Sequence, residues 1–195
     1  MILMKDIIRE GHPTLTRVAD KVAMPISDED KQIAFSLFQY VINSQDDEIA
    51  QKYKLRPGVG IAAPQINVSK RMFAMHVHDV DGKLYSMIVV NPKITQRSEE
   101  IVYLNGGEGC LSVDRPTEGI TPRHYSIKFE AFVYDVESNS FKLKRGSLKG
   151  YPATVFQHEF DHLDGIMFTT KMYPEIPSAT PLFDETDAEE DHIAE

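Results

Sequence analysis

The sequence predicts an α+β fold in which antiparallel sheets pack around a central helix that carries the pattern His158-Glu159-x-x-His162. Three observations predict it. An early segment repeats its apolar residues at helical spacing, a middle region between residues 71 and 135 is rich in β-type runs separated by turn signals, and a late segment returns to helical spacing between a proline start and a glycine stop.

In chain order, Gly11-His12-Pro13 marks a loop near the start. Ser27 then precedes a run in which Ile33, Ala34, Leu37, Phe38, Val41 and Ile42 repeat at a spacing that places them on one face of an amphipathic helix. A more polar helical piece over 47–55 ends before the chain-turning Arg56-Pro57-Gly58. The stretch 71–92 is interrupted by Asp81-Gly82, a pair that tolerates positive φ, and so reads as two antiparallel strands joined by a hairpin. Further strands are expected at 100–104 and at 126–135, where Ile127, Phe129, Ala131 and Val133 alternate, with the next turn at 137–140. Tyr151-Pro152 opens the late helix, since proline suits a first turn, and Gly165 ends it after Asp164. A short strand-like piece at 166–172 follows.

Length and composition bound what this fold can do. A chain of 195 residues forms one domain with a core of its own, so a metal would serve function rather than stability. No apolar run approaches the ~20 residues of a membrane helix, no signal-peptide pattern opens the chain, and the single cysteine excludes an internal disulfide. The expectation is a soluble cytoplasmic protein without a membrane partner. Of the net charge of −9, eight acidic side chains (Glu175, Asp184, Glu185, Asp187, Glu189, Glu190, Asp191 and Glu195) lie in residues 174–195, which contain no Lys or Arg. Residues 1–173 are therefore nearly neutral and read as a single domain. Residues 174–195 read as a solvated, disordered acidic tail, and direct nucleic-acid binding is not expected.

In QHEFDHLDG (157–165), His158 and His162 stand at i and i+4, so one helical turn brings both imidazoles to one point, with Val155 on the same face. Two neutral imidazoles suit a metal ion, and Glu159, about 100° around the helix, is placed to handle protons beside it. A catalytic site of this kind needs a third protein ligand and an open position. A downstream carboxylate or histidine is one candidate, with only the short 166–172 piece and the acidic stretch to supply it. Cys110 in EGCLS (108–112) is another, because a thiolate is a strong soft-metal ligand, although a lone cysteine also serves as a small buried apolar residue. GVGIAAPQ (58–65) lacks the GK[ST] ending of a phosphate loop and the third glycine of a dinucleotide fingerprint.

Taken in order, GVGIAAPQ, EGCLS and QHEFDHLDG resemble the three signature motifs of peptide deformylases, metallohydrolases that remove the formyl group from the N-terminal formyl-methionine of new polypeptides. The resemblance runs over roughly residues 5–172, and the segment before GVGIAAPQ together with DRPTEG resembles the longer-loop, Gram-positive form. It implies one divalent ion on Cys110, His158 and His162, ferrous iron natively, with zinc, nickel or cobalt able to use the same ligands. It further implies that Glu159 is the general base, that Gln65 and the Leu111 N–H are oxyanion donors, and that Val59, Gly60 and Gly109 pair with an extended substrate whose methionine enters an apolar pocket containing Val155. Arg123, paired with Glu108 or Asp161, would steady the ligand-bearing segments. The implied partners are N-formyl-methionyl nascent peptides met near the ribosome, although some relatives dock there through a basic terminal helix and this acidic end would repel RNA. Two rival readings share the helix motif: a zinc peptidase with a different third ligand, and a non-catalytic binding module whose metal sphere a fourth protein ligand closes.

Overall fold

The computed structural model describes residues 1–183. Helix α1 (Asp28–Ser44) starts where Ser27 Oγ accepts from the Asp30 N–H at 3.1 Å, and α2 (Asp47–Tyr53) follows with Lys54 in the left-handed region at its end. The strands are β1 (Gly60–Ala62), β2 (Met72–His78), β3 (Leu84–Arg97), β4 (Ile101–Tyr103), β5 (Arg123–His124), β6 (Ser126–Asp135), β7 (Ser140–Lys149) and β8 (Ala179–Pro181), with α3 (Gly150–Leu163) between β7 and β8. The first sheet is antiparallel, in the order β1-β2-β3-β6-β7. A second sheet, β5-β4-β8, is mixed, because β8 runs parallel to β4.

Strand β2 shows why the larger sheet can be buried on both faces. Its residues alternate sides, so Met72 and Ala74 join Leu37, Tyr40 and Val41 of α1 in one apolar cluster, while Phe73 and Met75 join Ala153, Phe156 and Leu163 of α3 in another. The continuous apolar run that suggested a strand is thus two buried faces superimposed. Phe156 anchors the second cluster, meeting Phe73 edge-on at 5.0 Å and Phe129 at 4.7 Å between ring centroids. Opposite the sheet, Gln157 ties α3 to β5 by accepting from the His124 N–H and donating to the His124 carbonyl.

Gly165 ends α3 for two reasons. Its φ of +69° is the left-handed turn that closes a helix, and a Cβ there would lie 2.7 Å from the Thr16 backbone, where the N-terminal segment crosses. That crossing segment donates from the Ala19 N–H to the Leu163 carbonyl at 2.8 Å.

Several expectations need correction. The piece at 166–172 is not a strand but holds a 3-10 turn, Phe168–Thr170, whose Phe168 and Met167 pack on Cys110. Strand β8 and Phe183 fall inside the stretch expected to be solvated: Leu182 donates to the Tyr103 carbonyl and Phe183 lies 5.6 Å from Tyr151, ring to ring. Pairing with β4 gives these residues backbone partners that no local periodicity announces. The rest of the acidic stretch, 184–195, lies outside the described residues. No described helix is long and apolar enough to cross a membrane.

Candidate active site

Helix α3 presents His158 and His162 one turn apart, with ring centroids 5.1 Å from each other, and the turn at Cys110 brings the thiol to the same place. Their ligand atoms all lie within 4.8 Å of one another, and Cys110 Sγ is 3.3 Å from His162 Nε2. A tetrahedral ion with ordinary sulfur and nitrogen bond lengths would set that edge at roughly 3.6 Å, so the donor set fits a metal of this class. The tautomers fit as well. His158 Nδ1 is bound to Glu108 Oε2 at 2.7 Å, which leaves Nε2 to face the cluster. His162 is buried, and burial pushes its pKa well below the usual value, whereas at His158 burial is outweighed by the bonds and charges of Cys110 and Glu108, which push the pKa up, so a bound ion would take the place of the His158 proton.

Behind His158 stands a buried ionic frame. Arg123, 2% exposed, donates to both oxygens of Glu108 at 2.6 and 2.7 Å and to Asp161 Oδ2 at 2.5 Å, and Lys171 reaches both Asp161 oxygens at 2.9 Å. Arg123 therefore pairs with both acids between which the sequence left a choice. Burial alone would raise the Glu108 pKa, but the Arg123 bonds and charge, joined by His158, outweigh it and hold it at about 2. The frame connects the Cys110 segment, β5 and α3, and so fixes the spacing of the ligands.

Glu159 points elsewhere. Among the described residues its Oε2 is buried without a hydrogen-bond partner, and burial raises its pKa to about 7, a value suited to taking and returning a proton near neutrality. An orphaned buried carboxylate oxygen costs stability unless something else uses it. Gly60 explains how the carboxylate fits, because a Cβ at that position would sit 2.5 Å from Glu159 Oε1. This close approach to Glu159 is a second role for Gly60 beside the backbone pairing expected of it, while Gly109 has open space around it.

Gln65 is buried in the 3-10 turn after β1. Its Oε1 accepts from the Ala62 N–H at 2.8 Å, which aims Nε2 at Cys110 Sγ (3.4 Å) and Ser112 Oγ (3.3 Å). The Leu111 N–H has no hydrogen-bond partner among the described residues. A cavity of about 340 Å³ joins these groups, lined among others by Val59, Gly60, Gln65, Gly109, Cys110, Leu111, Val155, His158 and Glu159. Strand β1 forms one edge of the larger sheet, with β2 on its other side, so among the described residues its outer edge is free to accept another strand. Sequence reasoning missed Tyr151, Thr154 and Leu104 in the cavity wall. The first two were within reach, since 151, 154, 155, 158 and 162 form one helical stripe.

The family model for polypeptide deformylase matches residues 4–176. The chain belongs to the polypeptide deformylase family. It is 56% identical over 181 residues to a peptide deformylase of Oceanobacillus iheyensis, covering 93% of this chain and 96% of that one. Among solved structures, the peptide deformylase of Thermotoga maritima superposes with a TM-score of 0.64 at 30% identity, covering 86% and 97% of the two chains. The Met-Ala-Ser-bound class I type b enzyme of Acinetobacter baumannii gives 0.65 at 26% identity, covering 85% and 96%. The chain is accordingly a hydrolase of the class that removes N-formyl groups, with a Cys/His/His group that can bind metal.

Proposed function

We propose that this chain deformylates the N-terminal formyl-methionine of newly made polypeptides, acting in the cytoplasm near the ribosome within one catalytic domain whose centre is α3. The observation that carries the proposal is the convergence of Cys110, His158, an unpartnered Glu159 carboxylate and a free Leu111 N–H on one cavity beside an open strand edge, with His162 supplying a third metal-type donor within 4.8 Å of the other two. Cys110, His158 and His162 would hold one divalent ion, ferrous iron in the native protein, which supplies Lewis acidity that makes water nucleophilic at neutral pH.

The remaining chemistry belongs to the side chains. Glu159 accepts the proton of the attacking water and returns it to the departing amine, for which its raised pKa is matched. Gln65 Nε2 and the Leu111 N–H donate to the oxygen of the formyl group as it gains negative charge. The free edge of β1 at Val59 and Gly60, with Gly109 opposite, receives the extended peptide by backbone pairing, and Val155 helps enclose the methionine side chain. The peptide bound to the Acinetobacter relative, Met-Ala-Ser, is of the kind this arrangement would release. Among the described residues no fourth ligand joins the cluster, which favours an open catalytic sphere over a closed structural one.

The test is Glu159→Gln, assayed on formyl-Met-Ala-Ser with metal content measured in parallel. Retained metal with loss of most turnover is expected; normal turnover in that variant would sink the assignment.

A further inference from the structure

Arg56 has no role in the chemistry above, yet it is held more firmly than a loop residue needs to be. Tyr40, buried in the α1 core, donates its hydroxyl to the Arg56 carbonyl at 2.9 Å. The Arg56 guanidinium donates through Nη1 to Asp114 Oδ1 at 3.1 Å, and Arg9 binds the other oxygen of the same carboxylate at 2.7 Å. Through Nη2 it donates to the backbone carbonyls of Cys110 and, at 3.1 Å, Val113. An arginine aimed at two carbonyls of a neutral turn, with its own position fixed by Tyr40 and Asp114, acts as a clamp on that turn.

The Cys110 carbonyl belongs to the same peptide unit as the Leu111 N–H. This unit is planar and trans, so its C=O and N–H point in opposite directions. Holding the oxygen on the Arg56 side therefore directs the N–H the other way. A cation on the carbonyl also draws electron density from the amide and makes its N–H a stronger donor. We propose that Arg56 is a positioning residue that orients and polarises the Cys110–Leu111 peptide so that the Leu111 N–H stands ready for the developing oxyanion. The inference rests on the reading of Leu111 as an oxyanion donor and adds the residue that makes it one. A preorganised donor stabilises charge only as that charge appears, so loss of Arg56 should act on kcat rather than on ground-state binding.

The experiment uses zinc-loaded Arg56→Ala and Arg56→Lys with formyl-Met-Ala-Ser, together with the amide signal of Leu111 in protein labelled with ¹⁵N-leucine. For Arg56→Ala the expected result is a fall in kcat of about 10- to 100-fold, somewhat less than outright removal of a donor. KM should stay within about threefold, zinc should stay bound, and the Leu111 signal should move. Added guanidinium ion at tens of millimolar should restore much of the lost kcat, which a purely structural defect would not allow. Arg56→Lys keeps the charge and loses the fork, so an intermediate kcat is expected; it also carries the test if the alanine variant does not fold. An unmoved Leu111 signal, or a kcat within twofold of the parent, overturns the proposal. A moved signal with unchanged kcat would do so differently, by showing that Arg56 orients the peptide but that Leu111 is not an oxyanion donor.

Discussion

Gly60→Ala puts the smallest side chain into the contact between β1 and α3. The new methyl carbon would lie 2.5 Å from Glu159 Oε1 and 2.8 Å from its Cδ. Carbon and oxygen in contact normally keep roughly 3.3 Å or more, so the carboxylate must retreat by about 0.8 Å. The backbone at residue 60 is not in the left-handed region, and alanine costs a strand no more than glycine does, so the fold itself should tolerate the change. A misplacement of about 1 Å in a reacting group lowers rate on the order of 10²-fold. The expected outcome is a kcat lower by about that factor, with the metal retained and the melting temperature within a few degrees. The assay is steady-state hydrolysis of formyl-Met-Ala-Ser, with metal content and thermal melting on the same samples. Gly106→Ala is the control, because nothing lies within 4 Å of its added Cβ and its backbone is equally unstrained. If Gly60→Ala turns over within a factor of two of the parent, Glu159 does not need its present position and the assignment of the base fails.

Gln65→Leu removes one buried donor and should lower kcat by about 10² to 10³, while affinity for the product Met-Ala-Ser, measured by calorimetry, barely changes. Cys110→Ser should lower zinc affinity strongly, seen in competition with a chromogenic chelator; unaltered affinity would return the third ligand to the downstream candidates. Arg123→Met leaves Glu108 and Asp161 without their buried cation and should destabilise the fold by about 3 to 5 kcal/mol in urea unfolding, a shift too large for a surface pair. Phe183→Ala frees Tyr151 at the cavity wall and should raise KM for the formylated peptide with little change in kcat, read from the same steady-state assay.

Local rules carried far along this chain because they depend on neighbours a few residues apart. Ser27 caps α1, the Asp81-Gly82 pair separates β2 from β3, the alternation at 126–135 marks β6, and Gly165 stops α3, all as their spacing dictates. The i, i+4 histidines likewise needed only a helix to meet, so His158, Glu159 and His162 were legible as a candidate site. Other features depend on partners distant in sequence, and no period betrays them. Strands β1, β5 and β8 are two or three residues long and exist because β2 and β4 supply their hydrogen bonds. The contact of Gly60 with Glu159 joins residues about half the chain apart. The Arg56 clamp on the Cys110 turn likewise joins distant segments, and the decision that Arg123 serves Glu108 and Asp161 together came only when β5, the cysteine turn and α3 were brought to one point. The sequence determined which residue types could do the chemistry. Tertiary structure decided their distances, their burial and therefore their protonation, because desolvation and fixed charge act through space and not along the chain.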